Sequence, residues 1–288
     1  MITIPETKIE YVMDFCDARI FVKRDDLIPF SYGGNKVRIA REAFNDAAEK
    51  GCKTFVSYGS ASSNLNRAVS EMAAEYSEKC IIIIKKEEEP EKAVSTNEKI
   101  VRASGAELIY TSPENVRETV SGVLSGADRP YYIYGDETGK GNEEVLSAAY
   151  RKVFFEIKKQ EEETGTKFTN VFTAVGTGST IKGLSDGCDG EHFIHGISVA
   201  RKADAFACLN EHAAVTDDYL FGGYGKHTEE LLSFIREIYE KFMIPLDPCY
   251  TGKAFFGMLR EIEKKDISGN CLFIHTGGYP IFKDMMNI

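Results

Sequence analysis

The 288-residue sequence has no CxxC pair, no HExxH or other metal-spaced histidine pattern, no internal repeat and no low-complexity tract. A metal site is therefore not expected. Its seven cysteines (Cys16, Cys52, Cys80, Cys188, Cys208, Cys249, Cys271) are scattered and odd in number, which fits reduced cytosolic thiols better than a disulfide framework. Basic charge is short as well. The 35 Lys and Arg stand against 45 Asp and Glu, a net charge of −10, so the basic face of a nucleic-acid-binding protein is not expected. The apolar run 80–84 is far below the length of a membrane span. The opening MITIPETKIEYVMDF lacks a basic region followed by an apolar stretch, so no secretory signal is visible. These absences point to a cytoplasmic protein. What remains is ordinary globular composition, 43% hydrophobic and 28% charged, in a chain long enough for two domains or one large α/β domain.

Apolar, β-rich runs alternate with helical patterns along nearly the whole chain. Strands are expected over 18–22, 54–58, 80–85, 107–110, 131–134, 170–174, 193–200 and 271–275. Helices are expected over 64–76, 94–103, 113–124, 143–163 and 251–265. Strand-then-helix repetition with short connections marks an α/β protein with a mostly parallel sheet covered on both faces. Ligands in such sheets sit in the loops beyond the strands' carboxyl ends. The charge runs 85–92 and 158–167 read as a solvated loop and a solvated helix end.

Four segments carry possible chemistry. In Ser31-Tyr32-Gly33-Gly34-Asn35-Lys36-Val37-Arg38, two glycines free the backbone just before a lysine that opens an amphipathic helix. Such a lysine is either a solvated surface residue or a partly desolvated amine of lowered pKa that can form a Schiff base. Segment 170–184 runs a strand into Gly176-Thr177-Gly178-Ser179-Thr180 and then a helix. Backbone N–H groups, hydroxyls and a helix dipole converging there suit a phosphate, and an ordinary tight turn would look the same. It is neither a Walker loop nor GxGxxG. The stretch 58–67 holds Ser62, Ser63 and Asn64, more polar groups than one N-cap needs and suited to a carboxylate. Lastly, Asp247-Pro248-Cys249-Tyr250-Thr251-Gly252-Lys253 and His275-Thr276-Gly277-Gly278 place a tyrosine at a helix start and a threonine at a strand end. Either residue faces a cleft or is plainly structural.

Together these segments resemble one branch of the pyridoxal-phosphate enzymes of the tryptophan-synthase-β fold, that of D-cysteine desulfhydrase and aminocyclopropane-carboxylate deaminase. The branch carries KRxDL, GGNKxR, a turn containing SN, a Gly/Ser/Thr phosphate loop, DPxYxGK and H-x-GG. This chain has them in that order at 23–27, 33–38, 63–64, 176–180, 247–253 and 275–278, with smaller echoes at 196–201 and 223–230. The resemblance implies pyridoxal 5'-phosphate as cofactor and fold type II: two three-layer αβα domains with mostly parallel sheets and the cofactor in the cleft between them. It implies a large domain of residues 1–50 and 146–288, a small domain of 51–145, and a homodimer. By motif match, Lys36 carries the cofactor and shuttles protons at Cα, and Asn64 contacts the cofactor's 3-oxygen. Gly176, Thr177, Gly178, Ser179 and Thr180 cradle the phosphate, and Thr276 adjoins the cofactor ring. Ser62, Ser63 and Asn64 receive the substrate carboxylate, while Tyr224, Tyr250 and Thr251 surround the rest of the substrate.

Two positions speak to specificity. The branch's deaminases resemble DPxYEGK and H-L-GG and its desulfhydrases DPxYTGK and H-T-GG; this chain has Thr251 and Thr276. A carboxylate near the pyridine nitrogen makes the ring a stronger electron sink than a hydroxyl does. Opening a cyclopropane needs that strong sink, and expelling sulfide needs less. The expected reaction is α,β-elimination on a small amino acid, best D-cysteine to pyruvate, sulfide and ammonia. Lys36 or a hydroxyl such as that of Ser63 takes the Cα proton, and Tyr250 assists the leaving group. The chain departs from the branch at Ser62-Ser63-Asn64-Leu65, where QSN followed by His or Gln is usual, and at 134–141, where PxGGS is usual. Those departures keep open a deaminase, a lyase or β-replacement enzyme acting on another β-substituted amino acid, and a non-catalytic cofactor-binding protein.

Overall fold

The computed structural model of the protein describes residues 4–86, 94–206 and 209–286. The charged segment 87–92 and Cys208 lie outside them. In chain order come β1 (Ile9–Phe15), β2 (Ala18–Lys23), α1 (Asn35–Glu49), β3 (Thr54–Gly59), α2 (Asn64–Glu75), β4 (Lys79–Lys85), α3 (Thr96–Ala103) and β5 (Glu107–Thr111). Then follow α4 (Val116–Gly126), β6 (Pro130–Tyr132), α5 (Glu143–Thr164), β7 (Asn170–Val175), α6 (Ser179–Gly187) and β8 (Phe193–Ser198). The last elements are β9 (Ala213–Thr216), α7 (Glu229–Phe242), α8 (Thr251–Lys264), β10 (Gly269–Ile274) and α9 (Tyr279–Met286). The chain divides into two compact units, residues 36–146 in one and residues 4–35 with 147–288 in the other. No helix among the described residues is long and apolar enough to cross a membrane.

The larger unit holds a six-stranded sheet in the order β1-β2-β10-β7-β8-β9. Every pair in it is parallel except the β1–β2 hairpin. Strand β10 lies inside the sheet, and its Cys271, Leu272, Phe273 and Ile274 are all fully buried. A strand covered on both faces needs an unbroken apolar run of this kind. Around it pack Ile20, Val22, Phe172, Ile235, Phe255 and Met258. The smaller unit holds a four-stranded parallel sheet, β5-β4-β3-β6, in which the isoleucines 81–84 of inner strand β4 are buried. Its core gathers Val56, Ile81, Ile83, Val120 and Tyr132.

The eight expected strands and five expected helical spans are present, with ends shifted by a few residues, and so are the helices expected at Lys36 and after the 176–180 turn. Strand β6 stops at Tyr132 rather than 134. There the Asn142 side-chain amide donates to the Tyr132 and Ile133 carbonyls at 3.1 and 3.4 Å. Strands β1 and β9 had no counterpart in the sequence reading. Both are edge strands of mostly intermediate burial, so their apolar patterns are weak. Helices α7 and α9 were likewise not singled out, although α7 buries Leu231, Leu232, Ile235 and Ile238 at helical spacing.

Buried charge ties the larger unit together at β2. Lys23 is fully buried, and its Nζ donates to Glu156 Oε1 at 2.7 Å, the Thr7 carbonyl at 2.9 Å and Gln160 Oε1 at 3.0 Å. Asp25 accepts from the Thr7 hydroxyl at 2.7 Å and the Tyr150 hydroxyl at 2.6 Å. Arg24 forks onto Asp26 at 2.9 and 2.8 Å and reaches Glu10 at 2.7 Å. The KRxDL motif thus fixes the strand that leads into the Gly33-Gly34 loop.

Candidate active site

Three loops of the larger unit meet at Asn35. At Gly34, φ is +91°, and a Cβ would lie 2.6 Å from the Thr276 carbonyl oxygen. A Cβ at Gly277 would lie 2.6 Å from Gly34 Cα. Only glycine allows this backbone-on-backbone approach. The Asn35 N–H donates to the Thr276 carbonyl at 3.0 Å, and its side-chain amide donates to Thr180 Oγ1 at 3.0 Å. Asn35 thereby joins the lysine loop, the Thr276-Gly277 turn and the first turn of α6. Lys36 is the next residue, of intermediate exposure, and burial lowers its amine from 10.5 to about 8. His275 accepts from the Gly277 N–H at 3.2 Å and lies 3.9 Å from Asp26.

The Gly176–Thr180 loop joins β7 to α6. Gly178 caps α6 at φ +101° without a side-chain cap bond, so the first-turn N–H groups keep their donor capacity. Thr177 is exposed, Ser179 is half-buried and Thr180 is buried. The Tyr250 ring covers Gly176, where a Cβ would lie 3.3 Å from Tyr250 Cε1. The Tyr250 and Tyr224 hydroxyls are 2.7 Å apart, with the rings edge to face at 5.8 Å. Burial first, and then Tyr224, hold the Tyr250 phenol well above its usual 10.

Two residues of the DPCYTGK segment hold this arrangement from behind. Fully buried Lys253 donates to the Leu220 and Gly223 carbonyls at 2.8 and 2.7 Å, just before Tyr224. Fully buried Asp247 accepts from the N–H groups of Cys249, Tyr250 and Thr251 at 2.9, 2.8 and 3.1 Å. Thr251 Oγ1 donates to Asp247 Oδ2 at 2.8 Å and accepts from the Asp247 N–H at 2.8 Å. Its hydroxyl proton is therefore spent inside the α8 start, where the resemblance had placed it beside the substrate.

In the smaller unit, the turn after β3 carries Ser62, Ser63 and Asn64. Ser63 caps α2 by accepting from Asn66 N at 3.2 Å, and its hydroxyl proton stays available. Asn97, buried at the start of α3, donates to the Ser62 carbonyl at 2.7 Å and to Asn64 Oδ1 at 3.0 Å. Ser95 donates to the Ala61 carbonyl at 3.2 Å. The turn is thus clipped from α3 at two adjacent carbonyls.

Residues 4–277 match the family model described as pyridoxal-phosphate dependent enzyme. The chain belongs to that family. It is 29% identical, over 96% of its length and 90% of the relative's, to a Pyrococcus abyssi protein named "Putative 1-aminocyclopropane-1-carboxylate deaminase". It is 27% identical, over 96% and 91%, to a D-cysteine desulfhydrase of Serratia proteamaculans. Among solved structures it is similar to an ACC deaminase homologue, with a TM-score of 0.84 and 28% identity over 99% of this chain and 94% of that one. The protein is therefore a pyridoxal-phosphate dependent enzyme of fold type II, similar to lyases of that family.

The residues present suit the family's cofactor. In the smaller unit the Lys36 amine of lowered pKa suits an aldehyde, and in the larger unit the uncapped start of α6, flanked by Thr177, Ser179 and Thr180, suits a phosphate. Four residues of the surrounding structure were not assigned roles from sequence. Asn35, Asp247 and Lys253 lay inside the quoted motifs, where fixed identity was a usable signal. Asn97 lies 33 residues from Asn64, and no local pattern announced it.

Proposed function

We propose that this protein catalyses α,β-elimination on a small amino acid, with D-cysteine giving pyruvate, sulfide and ammonia. The observation that carries the reading is the Tyr224–Tyr250 hydroxyl pair beside Gly176, in which Tyr250 stays a neutral phenol able to donate a hydrogen bond. Such a donor stabilises the charge that develops on a departing thiolate. Pyridoxal phosphate, when bound, supplies the electron sink for charge at the substrate Cα. In this reading Lys36 holds the cofactor and moves the Cα proton, and Gly176 to Thr180 hold its phosphate. Asn64 donates to its 3-oxygen, and Ser62 and Ser63 orient the substrate carboxylate. Thr276 lies by the cofactor ring. A cytoplasmic location, from the scattered odd-numbered cysteines, and a homodimer, from the resemblance, accompany the reading.

Position 251 favours elimination over ring opening. A deaminase of this branch carries a glutamate there, and this chain carries a threonine whose proton is bonded to Asp247. The test is release of sulfide and pyruvate from D-cysteine by the purified, cofactor-loaded protein, with L-cysteine and 1-aminocyclopropane-1-carboxylate alongside. Release from D-cysteine supports the proposal. Ammonia from the cyclopropane alone would replace it with the deaminase reading, to which the Pyrococcus abyssi relative's name points.

A further inference from the structure

The two Asn97 bonds fix more than the path of the turn. A peptide carbonyl only accepts, so the Asn97 atom facing the Ser62 carbonyl at 2.7 Å is its amide nitrogen. That nitrogen's second proton goes to Asn64 at 3.0 Å, so the Asn64 atom facing it is the oxygen. The remaining end of Asn64, its Nδ2, faces away from Asn97 as a pure donor. Asn64 is half-buried, whereas Asn97 is 1% exposed. Without that clip an asparagine amide turns over at little cost and presents either a donor or an acceptor.

The arrangement carries a cost beside the Ser62 bond it gains. Asn97 Oδ1 is buried with no hydrogen-bond partner, and an orphaned buried acceptor is unfavourable. The α3 cap itself is made by Ser95, which accepts from Glu98 N at 3.2 Å and also holds the Ala61 carbonyl. Asn97 is needed for neither bond.

We propose that Asn97 is a positioning residue, which holds Asn64 with its N–H2 outward as a hydrogen-bond donor to the cofactor's ring oxygen. The inference rests on the reading above, in which Asn64 meets that oxygen. An ionised ring oxygen repels an amide oxygen, so a reversed Asn64 would exchange a favourable contact for an unfavourable one.

The experiment compares wild type, Asn64→Ala, Asn97→Asp, Asn97→Ala and Asn64→Ala/Asn97→Asp, each loaded with pyridoxal phosphate. The readouts are the bound cofactor's absorption spectrum across pH, its dissociation constant and the thermal midpoint. Aspartate at 97 accepts without donating, so Asn64 turns its N–H2 inward and the ring oxygen loses its donor. The expected result is one shared spectral change in Asn64→Ala and Asn97→Asp, with cofactor binding weakened about tenfold, one hydrogen bond's share. The double variant should add nothing to either single one, the sign of two residues acting through one contact. Asn97→Ala, which introduces no charge, releases Asn64 without inverting it, so it should weaken cofactor binding in the same direction but by less, and it serves as the readout if Asn97→Asp folds poorly. Wild-type dissociation constants in the folded Asn97 variants, with Asn64→Ala weakened, would overturn the proposal and leave Asn97 a structural clip. A wild-type spectrum in Asn64→Ala would overturn it differently, by removing Asn64 from the ring oxygen. Pyruvate release from D-cysteine by wild type tests the function separately from both outcomes.

Discussion

Burial takes the Lys36 amine from 10.5 to about 8, so a usable fraction is unprotonated near neutrality. Capture of added pyridoxal phosphate by the cofactor-free chain should accelerate as pH rises through about 8 and then level, where an exposed lysine would still be gaining near 10.5. Stopped-flow absorbance measures this, and a rate still climbing steeply at pH 10 would place Lys36 in water. The same shift bears on stability. The unfolded chain binds the proton more tightly, so stability should rise with pH between about 8 and 10.5 by this group's share. Lys36→Ala should lose turnover and the bound cofactor's visible absorption together. Tyr250→Phe should bind cofactor normally yet lower kcat by about 10²–10⁴, the usual share of a general acid. Unchanged kcat would take the leaving group away from the tyrosine pair. At this scale the sequence made the lysine and both tyrosines legible, because each sits in a short ordered motif. It hid the partners that aim them: Tyr224 and Tyr250 are 26 positions apart, and Asn97 meets Asn64 only through the fold.

Among the elements, α8 shows how one motif divides between chemistry and support. Asp247 gathers three N–H groups and the Thr251 hydroxyl, and so anchors the residues that open the helix. Thr251→Val removes a hydroxyl that both donates and accepts in a fully buried setting. It should cost about 1–3 kcal/mol, read as a lower urea midpoint, with the cofactor spectrum little changed. A large spectral change at unchanged stability would return Thr251 to the cofactor ring. The strands divide in a similar way. Strand β10 was legible because a fully buried parallel strand must be apolar throughout, whereas β1 and β9 lie at sheet edges with partly exposed patterns. Edge pairing is decided by which neighbour arrives, and four residues such as Ala213–Thr216 carry too little pattern to announce it.

Across the whole chain, motif order was legible from end to end, while the forces joining distant motifs were not. Lys23 stands in the first motif, yet its ion-pair partner Glu156 lies 133 residues later on α5. Sequence offers no spacing rule for such a pair. Its importance follows from burial: Lys23 is fully buried and Glu156 is 9% exposed. Removing one member of such a pair leaves the other charge desolvated, at about 3–5 kcal/mol. Lys23→Met should therefore lower the urea midpoint strongly, and the loss should extend to cofactor binding, because β2 leads into the Gly33-Gly34 loop and Lys36. Lys23→Met/Glu156→Leu should recover much of the stability, since a well-packed apolar pair often replaces a buried ion pair at little cost. If the double variant is no more stable than Lys23→Met, the cluster's value lies in the Thr7 and Gln160 bonds rather than in the charge pair.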